Sequence, residues 1–164
     1  MTEGNGWAPP GIDATSPSIA RMYDYYLGGK DNFAVDRAAA GKLLAIAPEI
    51  AEISRQNRAF LGRVVRFLTE VGVRQFIDIG TGLPTQNNVH QVAQLHAPEA
   101  RVVYVDNDPI VLAHARALLA DNPQTAVIDA DLLQPDTILD HPVVHQHIDF
   151  DRPVAALFLS VAHS

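Results

Sequence analysis

The chain has 164 residues, 48% of them apolar and 19% charged, which describes one ordinary globular domain with enough material for a buried core. Its net charge is −7 with no basic block, which argues against a mainly electrostatic hold on nucleic acid. No apolar run is long enough to span a membrane, no basic start followed by an apolar stretch marks a secretory leader, and the absence of cysteine excludes disulfides and thiolate metal sites. The expectation is a cytoplasmic protein with its oligomeric state open.

Residues 1–17 carry Gly4, Gly6, Pro9, Pro10, Gly11 and Pro17 with little to bury, and read as a flexible tail in which Trp7 docks loosely or not at all. Residues 18–73 read as a helical segment. Ile19, Met22, Tyr23 and Tyr26 share one face of a helix over 18–27 that Gly28 and Gly29 end. Asp31 or Asn32 caps a second helix with Val35, Leu43, Leu44 and Ile46 as its stripe. Pro48 starts a third, whose expected buried side is Ile50, Ile53, Phe60, Leu61, Val64, Phe67 and Leu68, and which stops at Gly72. Arg55, Arg58, Arg63 and Arg66 read as the solvated face of that helix.

From residue 74 the period changes. Phe76, Ile77 and Ile79 make a buried strand over 75–79 that runs into Gly80-Thr-Gly82, with a helix opening at Pro84 and continuing from about 85 to 96. Residues 101–106 form a second strand, and Pro109 opens a helix carrying Ile110, Val111, Leu112, Ala115, Leu118 and Leu119. Residues 125–128 and 154–159 give a third and a fourth strand. Nearly all-apolar strands alternating with helices predict an α/β fold, a Rossmann-like parallel sheet of about four strands, covered on both faces and preceded by the N-terminal helical cap. Such sheets normally reach about six strands, so residues 74–164 read as an incomplete cofactor-binding domain and the chain as C-terminally truncated, with strand four as an exposed edge.

A strand, a Gly-x-Gly turn and a helix together form a nucleotide-cofactor element. Asp106 ends the second strand about two dozen residues beyond Gly82, where an acid accepts hydrogen bonds from both hydroxyls of a ribose; the alternative is a cap for the helix at Pro109, a role open to Asp108 as well. Asp131, after the third strand, reads equally as a partner for an adenine amino group, with the Leu132 N–H reaching the ring, or as a turn carboxylate. Asp78 separates two ligand classes. A carboxylate near a helix N-terminus repels pyrophosphate, and Thr85 stands where G-x-G-x-x-G needs its third glycine. An acid two residues before Gly80 suits a cationic ligand without phosphate, such as S-adenosylmethionine. His141, His145 and His147 lie near Asp140 and Asp149, but Pro142 speaks against a regular helix presenting all three, so a surface loop and no metal is the expectation.

Phe76-Ile-Asp-Ile-Gly-Thr-Gly82, Val103-Tyr-Val-Asp-Asn-Asp108 and Asp129-Ala-Asp-Leu132 resemble the first three cofactor motifs of class I S-adenosylmethionine-dependent methyltransferases. Ala20-Arg-Met-Tyr-Asp-Tyr-Tyr-Leu-Gly-Gly-Lys-Asp-Asn-Phe33, Thr85-Gln-Asn-Asn-Val-His90 and Asp151-Arg-Pro-Val154 are similar to a bacterial S-adenosyl methyltransferase family whose acceptors are largely uncharacterised. The likeness covers about residues 17–164, and the Tyr-Leu-Gly-Gly-Lys-Asp-Asn run is its most specific part. It implies cofactor contacts at Asp78, Gly80, Thr81, Gly82, Asp106, Asn107, Asp131 and Leu132, with Tyr26 to Asn32, Gly29 included, folded over the methionine end. It also implies a C-terminal part that is absent after Ser164.

Methyl transfer depends mainly on holding the acceptor at attack distance and angle, and needs a base only when the acceptor must lose a proton. His163, at the end of strand four, is the candidate base, set against a frayed terminal residue, which the incomplete sheet favours. The leading expectation is thus an S-adenosylmethionine-dependent methyltransferase with an unidentified small-molecule or other acceptor. Its rivals are an NAD-dependent oxidoreductase, which Asp78 and Thr85 oppose, and a catalytically inactive cofactor-binding module.

Overall fold

The computed structural model describes residues 12–85 and 87–159. Trp7, most of the expected tail and His163 lie outside the described residues. The chain divides into two compact units, one ending at Arg55 and the other beginning at Gln56.

The first unit holds α1 (Ile19–Tyr26), α2 (Ala34–Ile46) and the start of α3 (Ile50–Glu70). Ser18 caps α1, its hydroxyl accepting from the Arg21 N–H, and Gly28 at φ +76° turns the chain out of it. The tie between α1 and α2 is polar. Asp36 is fully buried and accepts from Arg21 Nε at 2.7 Å, the Ser18 N–H at 2.9 Å and the Phe33 N–H at 2.8 Å. Asp36 and Ala40, one turn apart, are therefore the buried positions of α2, while Leu43 and Ile46 of the expected stripe are exposed, as is Ile19 of α1.

The second unit continues with β1 (Gln75–Ile79), α4 (Val89–His96), β2 (Arg101–Asp106), α5 (Pro109–Leu118), β3 (Thr125–Asp129), α6 (Pro135–Leu139), α7 (Pro142–His147) and β4 (Ala155–Leu157). The four strands are parallel in the order β3-β2-β1-β4, so the expected α/β sheet is present. Phe76 pairs with Val102 and Asp78 with Tyr104, and because strand side chains alternate these four share one face. Phe76, Val102 and Tyr104 pack there with Leu61 and Val65 of α3 and Val89 and Ala93 of α4. On the other face Ile77, Ile79, Val103 and Val105 meet Ile138 of α6 and Val144 of α7. The buried Gln75 side chain joins β1 to the approach to β4, donating to the Asp149 carbonyl at 2.9 Å and accepting from its N–H at 2.6 Å.

Three local expectations are corrected. In α3, Leu61 and Val65 are buried with Val64 and Leu68 against them, but Ile53, Phe60 and Phe67 are 59%, 51% and 61% exposed. This 21-residue helix carries two apolar rows, and only one meets the sheet. The helix expected at Pro84 begins at Val89, because Asn88 is its cap in a capping box with Gln91, whose side chain accepts from the Asn88 N–H at 2.9 Å; the Asn88 side chain also accepts from the Thr85 N–H at 3.0 Å and donates to the Thr85 carbonyl. Finally, Pro142 does not prevent a helix at the histidines. It occupies the first position of α7, where a missing N–H costs nothing, and His141 caps it by accepting from the Val143 N–H.

Candidate cofactor site

The strand order reverses direction at β1, with β2 and β3 on one side and β4 on the other, and in open parallel sheets the crevice at such a switch point receives the ligand. The turn leaving β1 lies there. Gly80 and Gly82 both have φ +68°, which disfavours any residue with a β-carbon. The Gly80 N–H donates to the Val105 carbonyl at 2.8 Å, and the Thr81 hydroxyl is shared between the Asp78 carbonyl at 3.0 Å and the Val105 carbonyl at 3.3 Å. Thr81 thus braces the turn against β2. A β-carbon on Gly82 would meet no atom of the described residues within 4 Å, so among them that side of the turn is open.

Asp106 and Asp108 divide the two roles that the sequence left undecided. Asp108 caps α5, accepting from the Ile110 N–H at 2.9 Å. Asp106 instead faces the turn: one carboxylate oxygen accepts from the Gly82 N–H at 2.9 Å and the other from the Asp108 N–H at 2.9 Å. Each oxygen keeps a further lone pair, and the group is half-buried. Burial raises its pKa, opposed by these N–H groups. Asn107 beside it is exposed.

Asp78 is the most perturbed acid in the unit. It is 5% exposed, and among the described residues no hydrogen bond reaches its carboxylate. Burial first, and the Asp106 charge in addition, push its pKa up to about 7 against the pull of Arg58. Arg58 is the functional candidate that the sequence reading missed. Three of the four arginines of α3 point to water, where Arg55 and Arg66 pair with Glu52 and Glu70, each at 2.8 Å, and exposed Arg63 lies over the Phe60 ring. Arg58 is half-buried and donates from Nη2 to Thr85 Oγ1 at 2.6 Å and Asn88 Oδ1 at 3.3 Å, behind the glycine turn. The available signal was its place in the row Arg58, Leu61, Val65, Leu68, the row that faces the sheet.

Next to this group the Tyr104 hydroxyl accepts from the His90 N–H at 2.9 Å and lies 2.7 Å from His90 Nδ1. Burial lowers the His90 pKa and raises that of Tyr104, so both are neutral at pH 7. At the end of β3 the Asp131 carboxylate accepts from the Leu133 N–H at 2.8 Å, the turn role of its two alternatives, and Asp131 and Leu132 are both half-buried.

In the first unit, the Tyr26–Asn32 loop is organised by Asp24. That buried carboxylate accepts from the Asp31 N–H and the Asn32 amide, both at 2.9 Å. Any side chain on Gly29 would collide with it, so Gly29 is required by packing. Tyr26 is buried, and its hydroxyl, itself closed off from solvent, has no hydrogen-bond partner among the described residues. Burial raises its pKa.

A parallel sheet with an open glycine turn and an acid-ended neighbouring strand at its switch point is the arrangement of nucleotide-cofactor α/β folds. The chain belongs to the S-adenosyl methyltransferase family, whose model matches residues 5–164. It is similar to a crystal structure of a Thermobifida fusca protein described as a candidate methyltransferase, with 55% identity and a TM-score of 0.88 over 92% of this chain and 57% of that one. It is also similar to a DUF574-family protein of Streptomyces avermitilis, with 46% identity and a TM-score of 0.88 over 92% of this chain and 59% of that one. The chain therefore spans under two thirds of the length of either protein. No curated protein matches it. Among the described residues no helix is long and apolar enough to cross a membrane.

Proposed function

We propose that the protein binds S-adenosylmethionine in the crevice at the C-terminal ends of β1, β2 and β3 and serves methyl transfer to an acceptor, with a cytoplasmic location as part of the same proposal. The observation that carries this reading is the buried, unbonded Asp78 carboxylate behind an open glycine turn. A buried acid without hydrogen bonds is costly and is normally satisfied; a ligand with a cationic end satisfies it. When bound, S-adenosylmethionine supplies a methyl group on a sulfonium, chemistry that asks the protein for positioning more than for a strong acid or base.

In this reading Asp106 holds the ribose hydroxyls with the lone pairs left over from Gly82 and Asp108. Asp131 and the Leu132 N–H take the adenine edge, and Asn107 lies beside the sugar. Asp78 receives the ammonium. A dinucleotide fits less well. Five residues separate Gly82 from Asn88, the cap of α4, whose side chain is already engaged, and the acid at Asp78 opposes a pyrophosphate.

Calorimetric titration with S-adenosylhomocysteine tests the reading. Saturable one-to-one binding is expected, and Asp106→Ala should weaken it by about tenfold or more, the range of a charge-assisted pair of hydrogen bonds. An unchanged affinity in that variant removes the ribose assignment, and no binding by a folded sample removes the function.

A further inference from the structure

We infer that Arg58 anchors the carboxylate of the ligand's amino-acid end, so that Arg58 and Asp78 together select a zwitterion over a bare nucleoside. The inference rests on the cofactor reading above and adds a specificity determinant to it. Arg58 Nη2 is held by two neutral oxygens, Thr85 Oγ1 at 2.6 Å and Asn88 Oδ1 at 3.3 Å. Its Nε and Nη1 make no hydrogen bond among the described residues, and no carboxylate there lies within 4 Å of it. The neighbouring arginines of α3 show the contrast, since Arg55 and Arg66 each have a glutamate at 2.8 Å.

Arg58 is therefore a half-buried guanidinium with its planar fork oriented by its neighbours and its remaining donors unused. That is the arrangement that captures a carboxylate through two parallel N–H bonds. Asp78 does not fill the role itself. The two groups stand beyond ion-pair distance, yet near enough for Arg58 to lower the Asp78 pKa, which burial still holds at about 7. Two opposite charges kept apart on one side of an open glycine turn match an α-amino acid, which carries its ammonium and carboxylate on one carbon. A phosphate would satisfy Arg58 but would be repelled by Asp78 and Asp106.

The test compares three ligands on the full chain: S-adenosylhomocysteine, its amine analogue lacking only the carboxylate, and 5′-methylthioadenosine, which lacks the amino-acid end. The wild type should bind S-adenosylhomocysteine about 10- to 100-fold more tightly than the amine analogue. Arg58→Gln should abolish that preference and leave the affinity for methylthioadenosine within about twofold. Equal weakening of all three ligands would mean that Arg58 only braces Thr85 and Asn88, and overturns the inference. So does a wild type that binds the acid and the amine equally, a result that needs no variant to fold. A wild type that binds none of the three overturns the cofactor reading and this inference with it, whereas binding without preference overturns the inference alone.

Discussion

Two aspartates, one in each unit, are buried to nearly the same degree and treated in opposite ways. Asp36 is 0% exposed and Asp78 is 5% exposed. Asp36 accepts three hydrogen bonds, one from a guanidinium that is itself buried. Asp78 accepts none among the described residues, and its nearest cation is engaged with Thr85 and Asn88. A carboxylate fully paid for by its own chain is finished structure, and removing it breaks the fold. A carboxylate left uncompensated destabilises the fold in which it sits and marks a candidate functional site. The first unit uses its acid to assemble helices, whereas the second carries an acid whose hydrogen-bonding capacity is unused among the described residues.

The largest effect follows from the compensated acid. Asp36→Ala strands Arg21 as a buried charge and frees the Ser18 and Phe33 N–H groups, which should cost about 3–5 kcal/mol in urea unfolding. The double variant Arg21→Met, Asp36→Leu should recover most of that loss, because apolar pairs of similar volume replace buried ion pairs at little cost. A loss below about 1 kcal/mol for Asp36→Ala would break the contrast with Asp78.

The sheet was legible because its strands are nearly all apolar runs punctuated by Gly80 and Gly82, which free the backbone for a tight turn, and by Pro109, which fixes φ at a helix start. β2 runs from Arg101 to Asp106 as expected from the alternation of apolar run and acid. The division of labour between Asp106 and Asp108 was not legible, since both precede Pro109 and each has a carboxylate of the same reach. Only the backbone decides that Asp108 stands at the cap and Asp106 beside Gly82. Arg58 was hidden for a related reason: four arginines on one long amphipathic helix look alike until it is known which of its two apolar rows meets the sheet. The loop before α4 was hidden because Pro84 has the chemistry of a first helical residue, while the competing cap, Asn88, forms a capping box with Gln91 that had to outcompete it.

The uncompensated acid predicts a gain of stability on mutation. The Asp78 pKa rises from 3.8 to about 7 in the folded chain. Between those values the folded state holds a proton that the unfolded chain releases, so this group's contribution is intact below about pH 4 and is lost as pH climbs to about 7, at up to about 1.4 kcal/mol per pH unit. Asp78→Asn removes that loss. At pH 8 the variant should be about 4 kcal/mol more stable than the wild type in urea, and the difference should close towards about pH 4. The same variant should bind S-adenosylhomocysteine more weakly. A gap that does not change with pH would show that Asp78 titrates like an ordinary surface acid.

The smallest effect sharpens the contrast through glycine. Gly29 in the first unit is held by a steric wall, the Asp24 carboxylate, whereas Gly82 in the second has open space where a side chain would go and only its φ of +68° against it. Gly82→Ala should therefore cost about 1 kcal/mol of stability, the strain of a β-carbon in the left-handed region. The added methyl group stands on the side of the turn left open to a ligand, so the affinity for S-adenosylhomocysteine should fall by at least about tenfold, more than the small stability loss would suggest. Calorimetry at a temperature where the variant is fully folded separates the two effects. If binding is unchanged there, the open face of the turn is not where the ligand lies, and Asp78 is being held for a group that approaches from the side of α3.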